Sequence, residues 1–178
     1  GTINGHDYVD LGLSVKWATC NLGASSPEDF GGYYAWGETS EKSSFSWDNY
    51  KYGTYLIPTN IGSDIKGTSY DAAYVKWRGS WRMPTETEVK ELAAKCNLRI
   101  VTKNGVKGAE FTGPNGQSIF LPDAGYMRTS KDSGISYWTS TRSSTDPAKS
   151  ISFYVDERKS VGTVLNDMRF FGMPIRPV

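Results

Sequence analysis

The sequence predicts a mixed α+β fold: a single domain over residues 1–178, with one or two helices packed beside twisted antiparallel sheets and long irregular loops. Three observations lead there. The length of 178 residues suits one core and leaves little room for two. Six Trp, eleven Tyr and seven Phe are spread along the chain, and rings of that size build a stable core without many helices. Nineteen Gly and eight Pro punctuate the sequence at short intervals, so its elements must be short and its turns many.

Taken in order, Leu11, Leu13, Val15 and Trp17 alternate with Gly12, Ser14 and Lys16, the period of a half-buried strand. Residues 21–32 carry loop chemistry, and Tyr33-Tyr34-Ala35-Trp36 reads as a short aromatic strand or turn ended by Gly37. Residues 38–70 lack periodicity and are expected to form a long irregular excursion pinned by Phe45, Trp47, Tyr50 and Tyr52. Ordered loops of that length are often functional. Asp71 is placed to cap a short helix over 72–77. Thr85 and Glu88 form a capping-box pattern ahead of a second helix, whose apolar stripe is Val89, Leu92, Ala93 and Cys96 and whose stop is Asn97.

Beyond it, Asn104-Gly105 marks a tight hairpin, and Pro114-Asn115 occupies the corner of a second one. Tyr137 to Thr141 is β-prone. Ile151, Phe153 and Val155 alternate with Ser150, Ser152, Tyr154 and Asp156, which predicts one core face and one free face. Residues 161–165 and 169–175 are expected to complete a C-terminal antiparallel sheet.

Composition excludes several functions. Twenty basic and nineteen acidic residues are interspersed, so the basic stripe that nucleic-acid binding needs is missing. No run approaches the ~18 to 20 apolar residues of a membrane-spanning helix. Gly1 reads as a residue left by processing, so a native leader or anchor is expected to have been removed, and its absence carries little information about location. Cys20 and Cys96 can bridge only if the fold brings their Cα atoms within roughly 7 Å. Two buried free thiols are the favoured reading.

Chemistry by common routes finds little support. His6 is the sole histidine, close to a chain end, and no Gly-x-Ser-x-Gly elbow, phosphate-binding loop or zinc-ligand spacing accompanies it. Asp64, Asp71, Asp146, Asp156 and Glu157 are scattered without an EF-hand pattern and read as loop acids and caps, so neither metal nor cofactor is expected. Arg82, between Trp81 and Met83-Pro84, and Arg176, before Pro177, read as structural forks that satisfy carbonyls or a carboxylate. Trp17, Trp36, Trp81 and Trp138 are expected in the core.

Several segments together carry a resemblance. They are His6 to Asn21 (His-Asp-Tyr-Val-Asp-Leu-Gly-Leu-Ser-Val-Lys-Trp-Ala-Thr-Cys-Asn), Tyr34-Ala35-Trp36-Gly37-Glu38, Ser80 to Thr85, Phe120-Leu121-Pro122, Gly125-Tyr126, Tyr137 to Ser140 and the closing Ile175-Arg176-Pro177-Val178. In this order they resemble the Fibrobacter succinogenes major paralogous domain, common in gut Bacteroidetes. The resemblance implies a C-type-lectin-like fold, related in layout to the formylglycine-generating enzyme, in secreted or lipid-anchored surface proteins. The catalytic cysteines of that enzyme lie in the C-terminal part of the fold, whereas Cys20 and Cys96 precede it, so oxidase activity is not carried over. The tripeptides Glu-Pro-Asn and Gln-Pro-Asp of calcium-dependent lectins do not occur either.

The last forty residues also resemble the variable region of target proteins of diversity-generating retroelements, in which a buried skeleton supports varied, displayed positions. By that likeness Trp138, Ile151, Phe153 and Ile175 are skeleton. Arg142, Ser144, Asp146, Lys149, Ser150, Ser152, Tyr154, Asn166, Asp167 and Phe171 are the displayed, ligand-binding set. Lys149, Ser150, Ser152, Glu157 and Lys159 stand where many relatives are rich in Tyr and Asn, which fits either diversification or drift. The expected function is therefore a binding module rather than an enzyme, taking a protein or glycan on another cell, a phage or a host surface. The alternatives are a two-carboxylate enzyme acting on surface glycans and a structural module of a surface assembly.

Overall fold

The computed structural model describes residues 1–178. It is a mixed α+β fold whose sheets are antiparallel. Strands β1 (Thr2–Ile3), β2 (His6–Val9) and β3 (Trp17–Ala18) form a small N-terminal sheet. A single 3-10 turn at Trp47–Asn49 interrupts the long excursion. Helices α1 (Ala72–Trp77) and α2 (Glu86–Lys95) follow. Strands β4 (Asn97–Lys103), β5 (Val106–Thr112) and β6 (Ser118–Pro122) make a meander. A two-stranded ribbon, β7 (Tyr126–Met127) and β8 (Lys131–Asp132), leads to the C-terminal sheet of β9 (Ile135–Arg142), β10 (Lys149–Asp156) and β11 (Val161–Met168), with β10 in the middle. Neither helix is long and apolar enough to cross a membrane.

Both helices begin where their caps are written. Asp71 Oδ1 accepts from Tyr74 N at 3.0 Å, and its Oδ2 accepts from Gly67 N and Met83 N at 2.9 Å each. One buried carboxylate thus joins the end of the excursion, the first turn of α1 and the segment entering α2. Thr85 and Glu88 close the expected capping box, and Arg82 grips Glu88 with two guanidinium nitrogens at 2.9 and 2.6 Å. Burial alone would raise the Glu88 pKa, but the hydrogen bonds from Arg82 and Thr85 outweigh it and hold the carboxyl below its ordinary range. The hairpin at Asn104-Gly105 has both residues at positive φ, 48° and 80°, as a two-residue turn matched to strand twist requires.

Two large apolar clusters fill the interior. In the first, Val89 and Leu92 of α2 meet Phe111, Ile119 and Leu121 of the meander and Ile135, Tyr137, Phe153 and Val155 of the C-terminal sheet. The second gathers Trp36, Trp77, Trp81 and Trp138 with Tyr34, Met173 and Ile175. All four tryptophans expected in the core, Trp17, Trp36, Trp81 and Trp138, are buried.

Two expected strands take other forms. Leu11 is buried, and Leu13 and Val15 pack on the first cluster with Trp17, yet only Trp17–Ala18 is a strand. No neighbouring strand pairs with residues 11–16; instead the Ser14 N–H is bound by the Glu91 carboxylate of α2, and Gly12 turns the chain at φ 77°. Period two reported burial correctly but not hydrogen bonding. Likewise residues 169–178 extend no sheet edge as a strand. They run through the interior as an irregular tail, with Leu22 N bound to Ile175 O, Tyr34 bridged to Met173, and Val178 exchanging two bonds with Arg82. Arg176 is wholly buried without a carboxylate, donating to Asn21 Oδ1, Ala18 O and Phe120 O at 2.9, 3.2 and 2.8 Å. Burial lowers its pKa. Arg82 and Arg176 are therefore structural forks, as their sequence setting suggested.

Candidate functional site

The C-terminal sheet places one set of side chains against α2 and the other set outward. Direct cross-strand pairing fixes the assignment. Phe153 opposes Val164 and Val155 opposes Gly162 on the inner face, while Ser152 opposes Leu165 and Tyr154 opposes Thr163 on the outer face. On the outer face Tyr154 and Asp167 are half-buried, and Asp167 accepts from Ser152 Oγ at 2.5 Å. Burial raises the Asp167 pKa against the pull of that hydroxyl and of Lys149 and Arg128.

The ribbon β7–β8 is brought to the same place by two reciprocal backbone bonds between Met127 and Gly172. Tyr126 then stacks on Phe171 at 5.9 Å between centroids, and Arg128 lies 5.9 Å from the Phe171 ring centre while pairing with Asp132. Burial first, then Asp132, Asp167 and Tyr154, raise the Tyr126 pKa against the pull of Arg128, so these groups share one electrostatic neighbourhood.

From Phe171 the aromatic contacts continue without a break. Phe171 meets Phe170 edge-on at 4.9 Å, Phe170 meets Trp47 at 5.2 Å, and Trp47 meets Tyr55 at 6.3 Å. The last two rings come from the excursion, whose residues 53–58 form a tight turn closed by a Gly53–Pro58 bridge and a Thr54 N to Ile57 O bond. That turn holds Leu56 and Ile57 85 % and 78 % exposed, with Tyr55 at 49 %. Beside it Trp47, Asp48, Tyr50, Tyr55 and Leu56 line an open basin of ≈ 710 Å³. Behind the basin Arg169 fixes the floor. Its Nε donates to the Tyr50 hydroxyl at 3.0 Å, and the guanidinium lies 5.1 Å from the Trp36 ring centre. Aromatic bodies with polar tips at a surface are the residue types that dominate recognition energetics.

Of the expected binding set, Tyr154, Asp167 and Phe171 belong to this face. Arg142, Ser144, Asp146 and Lys149 lie at the turn between β9 and β10, where Arg142 reaches Asn60 Oδ1 at 3.3 Å and Asp146 Oδ1 caps Ala148 N at 3.0 Å. Ser150 and Ser152 are not displayed: both are 0 % exposed. Both lie in the central strand β10, with paired strands on either side, and the Ser152 hydroxyl is turned onto Asp167 of β11 rather than toward solvent. Asn166 is exposed but opposes Ile151, which puts it on the inner side of the sheet rather than with Tyr154. Sequence reasoning missed Tyr126 and Arg128 as parts of the face. The Gly125-Tyr126 pair was visible, but only the Met127–Gly172 bridge carries it to Phe171.

Other candidates resolve differently. His6 is stacked on Trp77 with centroids 3.8 Å apart and planes 9° apart, and burial lowers its pKa. It lines a cleft of ≈ 300 Å³ together with Asp7 and Cys20. Cys20 and Cys96 are free thiols, half-buried rather than fully enclosed. Asp123, Asp156 and Glu157 line a cleft of ≈ 370 Å³. Each already has a partner: Asp123 accepts from Gly134 N, Asp156 from Arg158 N and Lys159 N, and Glu157 pairs with Lys107 at 2.5 Å. No family model, curated protein or solved structure matches the chain.

Proposed function

We propose that this chain is a ligand-binding module of C-type-lectin-like fold, secreted or displayed at a cell surface, that takes a protein or glycan on its outer C-terminal face. The observation that carries the reading is the continuous row of rings from Tyr55 through Trp47, Phe170 and Phe171 to Tyr126, flanked by Arg128, Tyr154 and Asp167. Such a row offers rigid contact area at low conformational cost and hydrogen-bonding tips for orientation. The exposed Leu56 and Ile57 at its end favour a protein surface over a purely polar glycan. Diversification by a retroelement is the finer form of this reading. It is supported by a buried Trp138, Ile151, Phe153 and Ile175 beside a mostly polar, partly exposed turn at residues 142–149.

Binding of the purified domain to arrayed glycans and to gut bacterial surfaces, with and without calcium, tests it. Saturable binding that falls tenfold or more in both Trp47→Ala and Tyr126→Ala supports the face. Binding indifferent to both substitutions places the ligand elsewhere and overturns the assignment.

A further inference from the structure

The two outer edges of the meander and the C-terminal sheet are treated differently from the margin at β11. The β9 edge is occupied: Trp138 N bonds Pro174 O, Ser140 N bonds Pro84 O, and Arg142 N bonds Ser63 O. The β4 edge carries Arg99 and Lys103, charges of the kind that discourage strand addition. Strand β11 has eight residues, Val-Gly-Thr-Val-Leu-Asn-Asp-Met, with no Pro, Lys or Arg, and it pairs only with β10. No backbone bond leaves Val161 to Asp167 on its other side. Its outer face exposes Val161 and Leu165 at 50 % and 41 %. Its inner face borders a cavity of ≈ 270 Å³ lined by Lys90, Ala93, Phe153, Gly162 and Val164.

We infer that β11 is a self-association edge, pairing antiparallel with β11 of a second copy about a two-fold axis at Thr163, to join two C-terminal sheets into one of six strands. That register is selected by three separate features. It sets each exposed Val161 opposite the exposed Leu165 of the other copy, so the apolar residues cover one another on the outer face. It sets Val164 of each copy opposite Gly162 of the other, next to the Phe153 ring that fills the space a Gly162 side chain would take, and so into the inner cavity. It also brings Lys159, an exposed cation without an ion-pair partner in the β10–β11 turn, toward Asp167 of the other copy. A register two residues away loses all three matches. The contact is isologous, as closed dimers require. It goes beyond the ligand-binding reading and does not depend on it, although it would set the outer faces of two C-terminal sheets side by side.

Analytical ultracentrifugation of the whole chain over a concentration series tests the edge, with circular dichroism confirming that each variant is folded. A reversible dimer is expected, weakened tenfold or more by Leu165→Lys and by Lys159→Glu. A Thr163→Cys variant is expected to cross-link to itself on mild oxidation, mapped by mass spectrometry to the 163–163 bond, whereas Val161→Cys is not. A chain that stays monomeric to about 0.1 mM, a dimer unmoved by both charge substitutions, or cross-linking at 161 in preference to 163 would each overturn the inference. Should Leu165→Lys fail to fold, Lys159→Glu and Thr163→Cys decide the matter alone.

Discussion

Replacing Asp71 examines the joint on which the second half of the fold is hung. Its carboxylate is buried and accepts three backbone N–H groups, with Tyr74 on Oδ1 and both Gly67 and Met83 on Oδ2. Hydrogen bonds to a charged acceptor contribute about 1.5–3 kcal/mol each. Burial, however, raises the Asp71 pKa against the pull of those N–H groups, so desolvation offsets part of that sum. Asp71→Ala is therefore expected to cost about 3–4 kcal/mol, because it leaves donors from three segments unpaired at once. Asp71→Asn keeps one oxygen. With that oxygen facing Gly67 and Met83, its NH2 confronts only the Tyr74 N–H, and the loss is about 2 kcal/mol. For a chain of this size about 2 kcal/mol corresponds to a Tm drop of roughly 4–8 °C. Urea denaturation at neutral pH, followed by tryptophan fluorescence, measures both. The reasoning fails if Asn is as damaging as Ala, or if either variant lies within about 0.5 kcal/mol of the parent.

Glu88→Gln should remove about 1–2 kcal/mol at neutral pH by weakening the Arg82 grip and the capping box. Because the folded-state pKa of Glu88 is depressed, its contribution is present above the ordinary Glu pKa and lost as pH falls through the folded value. The difference between parent and variant in denaturant titrations should therefore shrink on acidification below about pH 4.3. Two glycines separate steric from backbone effects. A Cβ on Gly113 would lie 2.1 Å from Leu11 O, so Gly113→Ala should cost more than about 2 kcal/mol. Gly105→Ala meets open space and should cost only about 1 kcal/mol for its positive φ, both read from chemical denaturation. Arg176→Lys cannot reproduce three divergent donors and should destabilise by about 2–4 kcal/mol in the same assay, a loss absent if the tail tolerates solvent.

Local grammar was enough for the helices and the hairpins. The Asp71 and Thr85 caps, the Val89–Leu92 stripe and the Asn104-Gly105 turn depend on neighbours a few residues away, so their partners are visible in the sequence itself. The buried tryptophans were legible for a related reason, since rings in apolar surroundings have few alternatives to a core. Alternation also marked Ile151, Phe153 and Val155 as inward, and it was right.

The rest is decided by contacts across the chain. Leu11 to Val15 alternate like a strand but have no strand to pair with, and a Glu91 carboxylate takes the Ser14 amide instead. Ser150 and Ser152 sit at outward positions of β10, yet both are buried, Ser152 with its hydroxyl on Asp167 of a strand fifteen residues later. The aromatic row depends on rings drawn from residues 47, 55, 126, 170 and 171, whose adjacency no local pattern encodes. Period and capping are set by bonds between near neighbours, and the sequence by itself determines them. Which faces stay open is set by where distant segments come to rest, and only the tertiary structure decides that.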